Sequence, residues 1–281
     1  MSDEACSGED LRLKLKAWLS TTGAPFEMHV ARTLLGVGLD IEQGRYFTDP
    51  DDNKTAREID IIGRRTLQMG DSATLSAIAV IECKFAPTPW VLFRPPPGYA
   101  EETENFDRVA THYGQEWLRK ARFVPAIRDG ELWRMEARPG YSLSTSGLGV
   151  KSKTPNSHDQ QTVNDLAYKA IQGVTKATLA IADELEKEAS STSHLAVLFP
   201  VIAVRGKLFE TWLDDDDIAV REIDRGQLVW RNPRGAARPI LIDVVTEGAI
   251  DRFAQELRDT SDGLVTHGQD AAQAVNTTGV Y

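Results

Sequence analysis

The sequence predicts an α/β fold, a mixed central sheet with helices on its faces. Three observations lead there. Residues 57–64 alternate branched apolar residues with Glu58 and Asp60, and residues 76–85 contain the run Ile78-Ala79-Val80-Ile81, apolar on both faces as in a central strand. Between 160 and 187, Val163, Leu166, Ala170, Val174, Ala177, Ile181 and Leu185 recur at helical spacing. Further strand-like runs at 195–204 and 239–245 follow that helix, and an amphipathic helix at 248–258 closes the order.

Taken in sequence, residues 10–19 form a short amphipathic helix with Leu11, Leu15 and Trp18 on one face. A break at 21–23 precedes Pro25, which suits a first helical turn, and residues 26–35 continue as a helix that Gly36 and Gly38 end. Residues 39–47 read as a strand, 49–53 as a turn rich in Asp and Asn, and 68–71 as a second turn. Five prolines mark 86–98 as a loop. Residues 101–122 read as a helix, 132–143 as a strand, and 144–159, rich in Ser, Thr, Gly and Lys, as a mobile loop. The whole of 86–159 reads as an insertion after the third core strand. Pro200 assigns 195–204 to an edge or a bulge. Residues 207–216, 218–224 and 227–230 read as a short meander. The polar stretch from Thr260 on reads as a frayed tail.

The 281 residues, 41% hydrophobic and 26% charged, suffice for a real core without staples. Cys6 and Cys83 form neither a disulfide framework nor a zinc knuckle. The acidic start lacks an apolar signal region, and no apolar run is long enough for a bilayer, so a reducing, cytoplasmic setting is expected. A net charge of −10 argues mildly against nucleic-acid binding, but the charge is segregated. The stretch 225–238 holds four arginines and no acid, and 210–217 is acidic. No phosphate-cradling Gly-x-x-x-x-Gly-Lys-Ser/Thr loop and no Gly-x-Ser-x-Gly elbow occur.

The chemistry concentrates in Ile81-Glu82-Cys83-Lys84. Strand alternation sends Glu82 and Lys84 to one face and Ile81 and Cys83 to the other. Two charged groups at the end of an apolar central strand are costly unless something uses them. The preceding strand offers a partner: Glu58 and Asp60 share a face, with Ile59 and Ile61 on the other, and a hairpin pairing would bring Asp60 to Glu82 and Lys84. Oxygen ligands of this kind suit Mg²⁺ or Mn²⁺ rather than zinc. The bland alternative is a solvent-facing hairpin with cross-strand ion pairs.

Asp60, a spacer, then Glu82-x-Lys84 on an apolar strand resembles the PD-(D/E)xK nuclease superfamily. The resemblance implies a restriction-endonuclease-like domain over 1–260, with 261–281 as a polar tail. It implies a further acid on the preceding helix, where Glu27 stands. Asp60 and Glu82 would ligate Mg²⁺ (or Mn²⁺ in its place) with the backbone carbonyl of Cys83, Glu27 would complete the outer shell, and Lys84 would position the attacking water. The expected activity is endonucleolytic phosphodiester hydrolysis that leaves a 5′-phosphate, on DNA or RNA, in bacterial defence, with a homodimer and a regulatory or targeting partner in prospect. The literal Pro-Asp dipeptide is absent, since Ile59 precedes Asp60, and the helix over 160–187 lacks a Gln-x-x-x-Tyr signature. The competing expectation is a non-catalytic nucleic-acid-binding or assembly subunit that kept the fold.

Secondary candidates are weaker. Glu58 reads as a supporting acid paired with Arg57 or another cation. Arg225, Arg231, Arg234 and Arg238 either track a phosphate backbone or balance the acids at 214–217, and Lys151 and Lys153 are similar. Trp90, Phe93 and Tyr99 either stack on bases or pack. The five histidines, at 29, 112, 158, 194 and 267, show no metal-ligand spacing. The run Asp214–Asp217 lacks the glycine and glutamate of a calcium loop and reads as a solvated turn. The tetrapeptide at 57–60 recurs at 221–224 with no Glu-x-Lys after it, which marks the second copy as an exposed strand.

Overall fold

A computed structural model of the chain describes residues 8–52, 54–69, 73–85, 88–98, 109–111, 136–145, 159–188, 194–231 and 239–278, with the backbone alone at 69, 73, 159–165, 265 and 267–278. Helices α1 (Gly8–Leu19) and α2 (Ala24–Gly36) lead into strands β1 (Asp40–Thr48), β2 (Ala56–Met69) and β3 (Ala73–Phe85). Short strands β4 (Trp90–Phe93), β5 (Val109–Ala110) and β6 (Ser142–Thr145) follow, then the long helix α3 (Asp159–Glu188). The chain continues through β7 (His194–Arg205), β8 (Leu208–Asp214), β9 (Asp217–Ile223), β10 (Arg225–Trp230) and β11 (Ile240–Thr246) to a 3₁₀ turn and helix α4 (Ile250–Thr278).

The main sheet is mixed, as expected. Its order is β1-β2-β3-β7-β11-β10, with β5 also on β7. β2 runs antiparallel to β1 and β3, while β3, β7 and β11 are mutually parallel neighbours. One face is covered by α2 and α4, through Phe26, Val30, Leu34, Phe253 and Leu257. The other is covered by the apolar stripe of α3, including Ala170, Val174, Ala177 and Ile181. Burial of apolar surface on both faces explains why β3 and β7 carry near-continuous hydrophobic runs.

Four expectations are corrected. β7 is neither edge nor bulge: it lies between β3 and β11, and Pro200 falls where the flank away from β3 changes partner, from β5 at Val197–Leu198 to β11 at Val201. A strand missing one N–H donor is tolerated where the ladder is already interrupted. The proline-rich 86–98 segment contains β4, because Trp90 and Leu92 bury completely between its prolines. The meander does not stay in one sheet: β6-β4-β8-β9 form a second sheet, and β10 returns to the main one beside β11. Residues 261–278 are helical rather than a frayed tail: the stripe Leu257, Ser261, Leu264 continues into the α2 side of the core, and Ser261 Oγ donates to the Leu257 carbonyl. The expected helix over 101–122 and the loop over 144–159 lie almost wholly outside the described residues. Among the described residues no helix is long and apolar enough to cross a membrane.

Candidate active site at the strand fork

β1 and β2 keep one register throughout, with Gln43 opposite Ile61 and Arg45 opposite Ile59. Even so, Ile61 packs into the α2–α4 core and Ile59 into the α3 core. The expectation that these two isoleucines share a face is therefore wrong. Gly44, which the register sets opposite Asp60, adopts a left-handed backbone (φ 63°) that glycine accepts without steric cost. A Cβ there would lie 3.0 Å from Glu58 Oε1. Beside this position the β2–β3 ladder ends, at Ile61 opposite Ile81.

The fork leaves backbone groups of β3 without strand partners, and Asp60 takes one of them. Its Oδ2 accepts the Cys83 N–H at 2.6 Å. In the unbroken ladder that acceptor would have been a β2 carbonyl. The N–H and C=O of one strand residue point to the same flank, so the Cys83 carbonyl also faces the fork. The Cys83 side chain turns into the α2–α4 core, where burial and the nearby Asp60 push its thiol well above the usual range.

Glu82 and Lys84 do share a face, as alternation requires, and form an ion pair through Glu82 Oε1. Glu82 is buried, and its other oxygen, Oε2, meets no hydrogen-bond donor. Gly173 of α3 packs against this carboxylate: a Cβ there would stand 3.3 Å from it. Burial, followed by the nearby Asp60, pushes Glu82 up to about 7 against the opposing pull of Lys84. Burial likewise raises Asp60, and burial and Asp60 raise half-buried Glu27 on α2. Burial works against the Lys84 ammonium, but Glu82 and Asp60 outweigh it and hold its pKa above the ordinary value. The four predicted residues are thus brought into one electrostatic cluster. It carries three acids and one base, with one buried oxygen unsatisfied.

In front of Glu82 and Lys84 opens a cleft of about 1000 Å³, whose far wall is the polar side of α3. Lys176 reaches across it to Asp49 (2.9 Å) and Asp51 (2.7 Å), and Arg57 pairs with the same Asp49. Burial opposes ionisation of Asp49, yet the Asp51 N–H, Lys176 and Arg57 hold it down to about 2. Tyr168, Gln172 and Lys176 recur at i, i+4 and i+8 on this wall. That polar stripe is legible in the sequence opposite the apolar one, but sequence reasoning used only the latter.

Other candidates fall elsewhere. Glu58 is exposed at the cleft rim and accepts from the Tyr46 hydroxyl, not from Arg57. Arg225 is no phosphate tracker: it is bound to buried Asp243 (2.8 Å) and to Glu256. Arg231 is exposed, one residue beyond the cleft residue Trp230. Arg234, Arg238, Lys151, Lys153 and Tyr99 lie outside the described residues. Trp90 is core and half-buried Phe93 packs near Tyr141, so neither is a free stacking platform. Asp214–Asp217 closes the β8–β9 hairpin with Asp215 in the left-handed region (φ 52°), a turn as expected.

The donors at the fork fit a hard divalent cation. They are two carboxylates and a carbonyl flank, all oxygen, with an unsatisfied buried carboxylate oxygen among them. No three acidic, His or Cys side chains among the described residues converge as a complete side-chain cage. Mg²⁺ does not need one, because it keeps several waters and binds through one or two carboxylates. Comparison with protein-family models, curated proteins and solved structures finds no match to this chain.

Proposed function

We propose that the chain is a metal-dependent nuclease of the PD-(D/E)xK, restriction-endonuclease-like kind, hydrolysing phosphodiester bonds at the fork between β2 and β3. The observation that carries the reading is the unsatisfied Glu82 Oε2, buried beside Asp60 where the strands part. A buried carboxylate oxygen without a donor is costly to keep, and a cation would satisfy it. Asp60 and Glu82 would hold Mg²⁺ or Mn²⁺ with the Cys83 carbonyl. Bound there, the ion would supply Lewis-acid polarisation of a phosphoryl oxygen.

The protein groups have separable tasks. Lys84 Nζ, held by Glu82 Oε1, donates to the attacking water and directs its lone pair at phosphorus. Its positive charge offsets the charge that develops on the phosphoryl oxygens. Glu27, on the first turn of α2, adds negative potential from the other side of the fork and favours a cation between the acids. Gly173 leaves room for the Glu82 carboxylate against α3. The competing binding-subunit reading has no use for three acids set against one lysine, since without a cation they repel phosphate.

The test is cleavage of plasmid DNA and of structured RNA with Mg²⁺ or Mn²⁺. Wild type should cut, while Asp60→Ala and Lys84→Ala, checked as folded by circular dichroism, should lose activity by about 10²–10⁴-fold. Intact substrate under every metal, or variants that cut as well as wild type, would remove the nuclease reading.

A further inference from the structure

We infer that the cleft in front of Glu82 and Lys84 takes an unpaired nucleotide of a single-stranded nucleic acid, its base stacked at a corner built by Tyr168 and Trp230. The inference rests on the nuclease reading for its chemistry, but its geometry is independent of that reading.

Tyr168 projects from α3 into the cleft and keeps 51% of its surface exposed. A large aromatic held half in solvent on a concave wall leaves a ring available to a planar ligand. Its neighbour is Trp230, at the end of β10, with ring centroids 6.1 Å apart and planes inclined at 72°. In this edge-to-face arrangement one ring covers at most a single face of the other, and the pair forms a corner rather than a closed stack. The Trp230 indole N–H is buried without an acceptor. A buried donor without a partner is rare in native proteins.

The rest of the wall suits a nucleotide. Gln172, one turn along α3 from Tyr168, presents an amide able to donate to and accept from a base edge. Glu82 and Lys84 line the same cleft, so a base at Tyr168 and a phosphate at the fork belong to one contiguous site. The volume, about 1000 Å³, sits at the upper end of the roughly 300–1000 Å³ of small-ligand sites. That accommodates a nucleotide or two of a splayed strand. Base–aromatic stacking adds affinity beyond phosphate contacts, which a net charge of −10 weakens.

The experiment is fluorescence anisotropy with the full chain, run both in EDTA, which prevents cleavage, and in Ca²⁺, which an all-oxygen site also accepts and which offsets the acids at the fork; each outcome is read under both conditions. The probes are labelled homothymidine DNA and homouridine RNA of about ten nucleotides, within the site sizes of single-strand binders, and a blunt duplex of the same length. Wild type should bind at least one single strand more tightly than the duplex, and whichever does so identifies the sugar. Tyr168→Leu should weaken that binding by about tenfold, the loss of one stacked base. Tyr168→Phe, which keeps the ring, should restore it, and Asp60→Ala should keep the same dependence on Tyr168. Preference for the duplex, absence of binding to either strand, or equal affinity of the Leu and Phe variants would overturn the inference. Tyr168-dependent binding without cleavage by wild type would sink the nuclease reading and leave this one standing. Cleavage with no dependence on Tyr168 would do the reverse.

Discussion

Two charge clusters lie on different strand pairs of the main sheet, at the β10–β11 edge and at the β2–β3 fork, and they are built differently. At the β10–β11 edge, Arg225 is shared between Asp243, fully buried, and Glu256, with Gln227 also donating to Asp243. Its donors are matched to acceptors. At the β2–β3 fork, Glu27, Asp60 and Glu82 face a single Lys84, and a buried Glu82 oxygen has no donor. The same tetrapeptide, Arg-Glu-Ile-Asp, stands at 57–60 beside the fork and at 221–224 just before Arg225, and only the first is followed by Glu-x-Lys. The difference is satisfaction: a closed network stabilises the fold, whereas an open one is kept at a cost and suits a missing cationic partner.

Substitutions at the two clusters should differ several-fold in their cost to stability. Asp243→Ala leaves Arg225 with one partner fewer in a buried setting, and urea denaturation should show a loss of about 3–5 kcal/mol. Asp60→Ala removes the acceptor of the Cys83 N–H but relieves repulsion with Glu82 and Glu27, and its cost should stay within about 1 kcal/mol. Equal losses at the two positions would erase the distinction.

In metal-free protein, stability should depend on pH through Glu82. The folded pKa of Glu82, about 7, lies above its ordinary 4.5, so the native state takes up a proton in that interval before the unfolded chain does. Ionisation of Glu82 therefore opposes folding above pH about 7, and stability rises as pH falls from about 7 to about 4.5. The gain is up to about 3 kcal/mol. Glu82→Gln should remove most of this rise, leaving the part that the raised Asp60 and Glu27 carboxyls contribute. Asp49 acts in the contrary sense in a lower window: held at about 2, it contributes stability above its ordinary 3.8 that is lost as pH falls toward 2.

The smallest effect is expected at Gly173. Gly173→Ala improves helix propensity on α3 but brings a methyl group to 3.3 Å from the Glu82 carboxylate. Stability should hold or rise slightly, while cleavage should fall by about tenfold as the carboxylate shifts. An unchanged rate would mean that Glu82 is free to move without consequence.

Most of the elements that carry this site were legible in the sequence. Alternation at 81–84 placed Glu82 and Lys84 on one face, and the apolar stripe of α3 located the helix that backs them. The fork was not legible. Strict alternation put Ile59 beside Ile61, whereas the two pack into different cores, and between them Asp60 accepts the Cys83 amide where the β2–β3 ladder has ended. The second sheet was also hidden, because β4 and β6 are short and lie among prolines and polar residues whose local signals favour loops. The same limit applied to the end of α4, where one buried serine between two leucines carries the stripe past a polar sequence.

Whether the fork holds a divalent cation is read out by a melting-temperature titration with Mg²⁺ and Mn²⁺. Wild type should be stabilised, by about 2.7 kcal/mol at a hundredfold excess over the dissociation constant, and Asp60→Ala and Glu82→Gln should lose that response while Asp243→Asn keeps it. A melting temperature indifferent to both metals, or one that rises equally in the fork variants, would contradict the account.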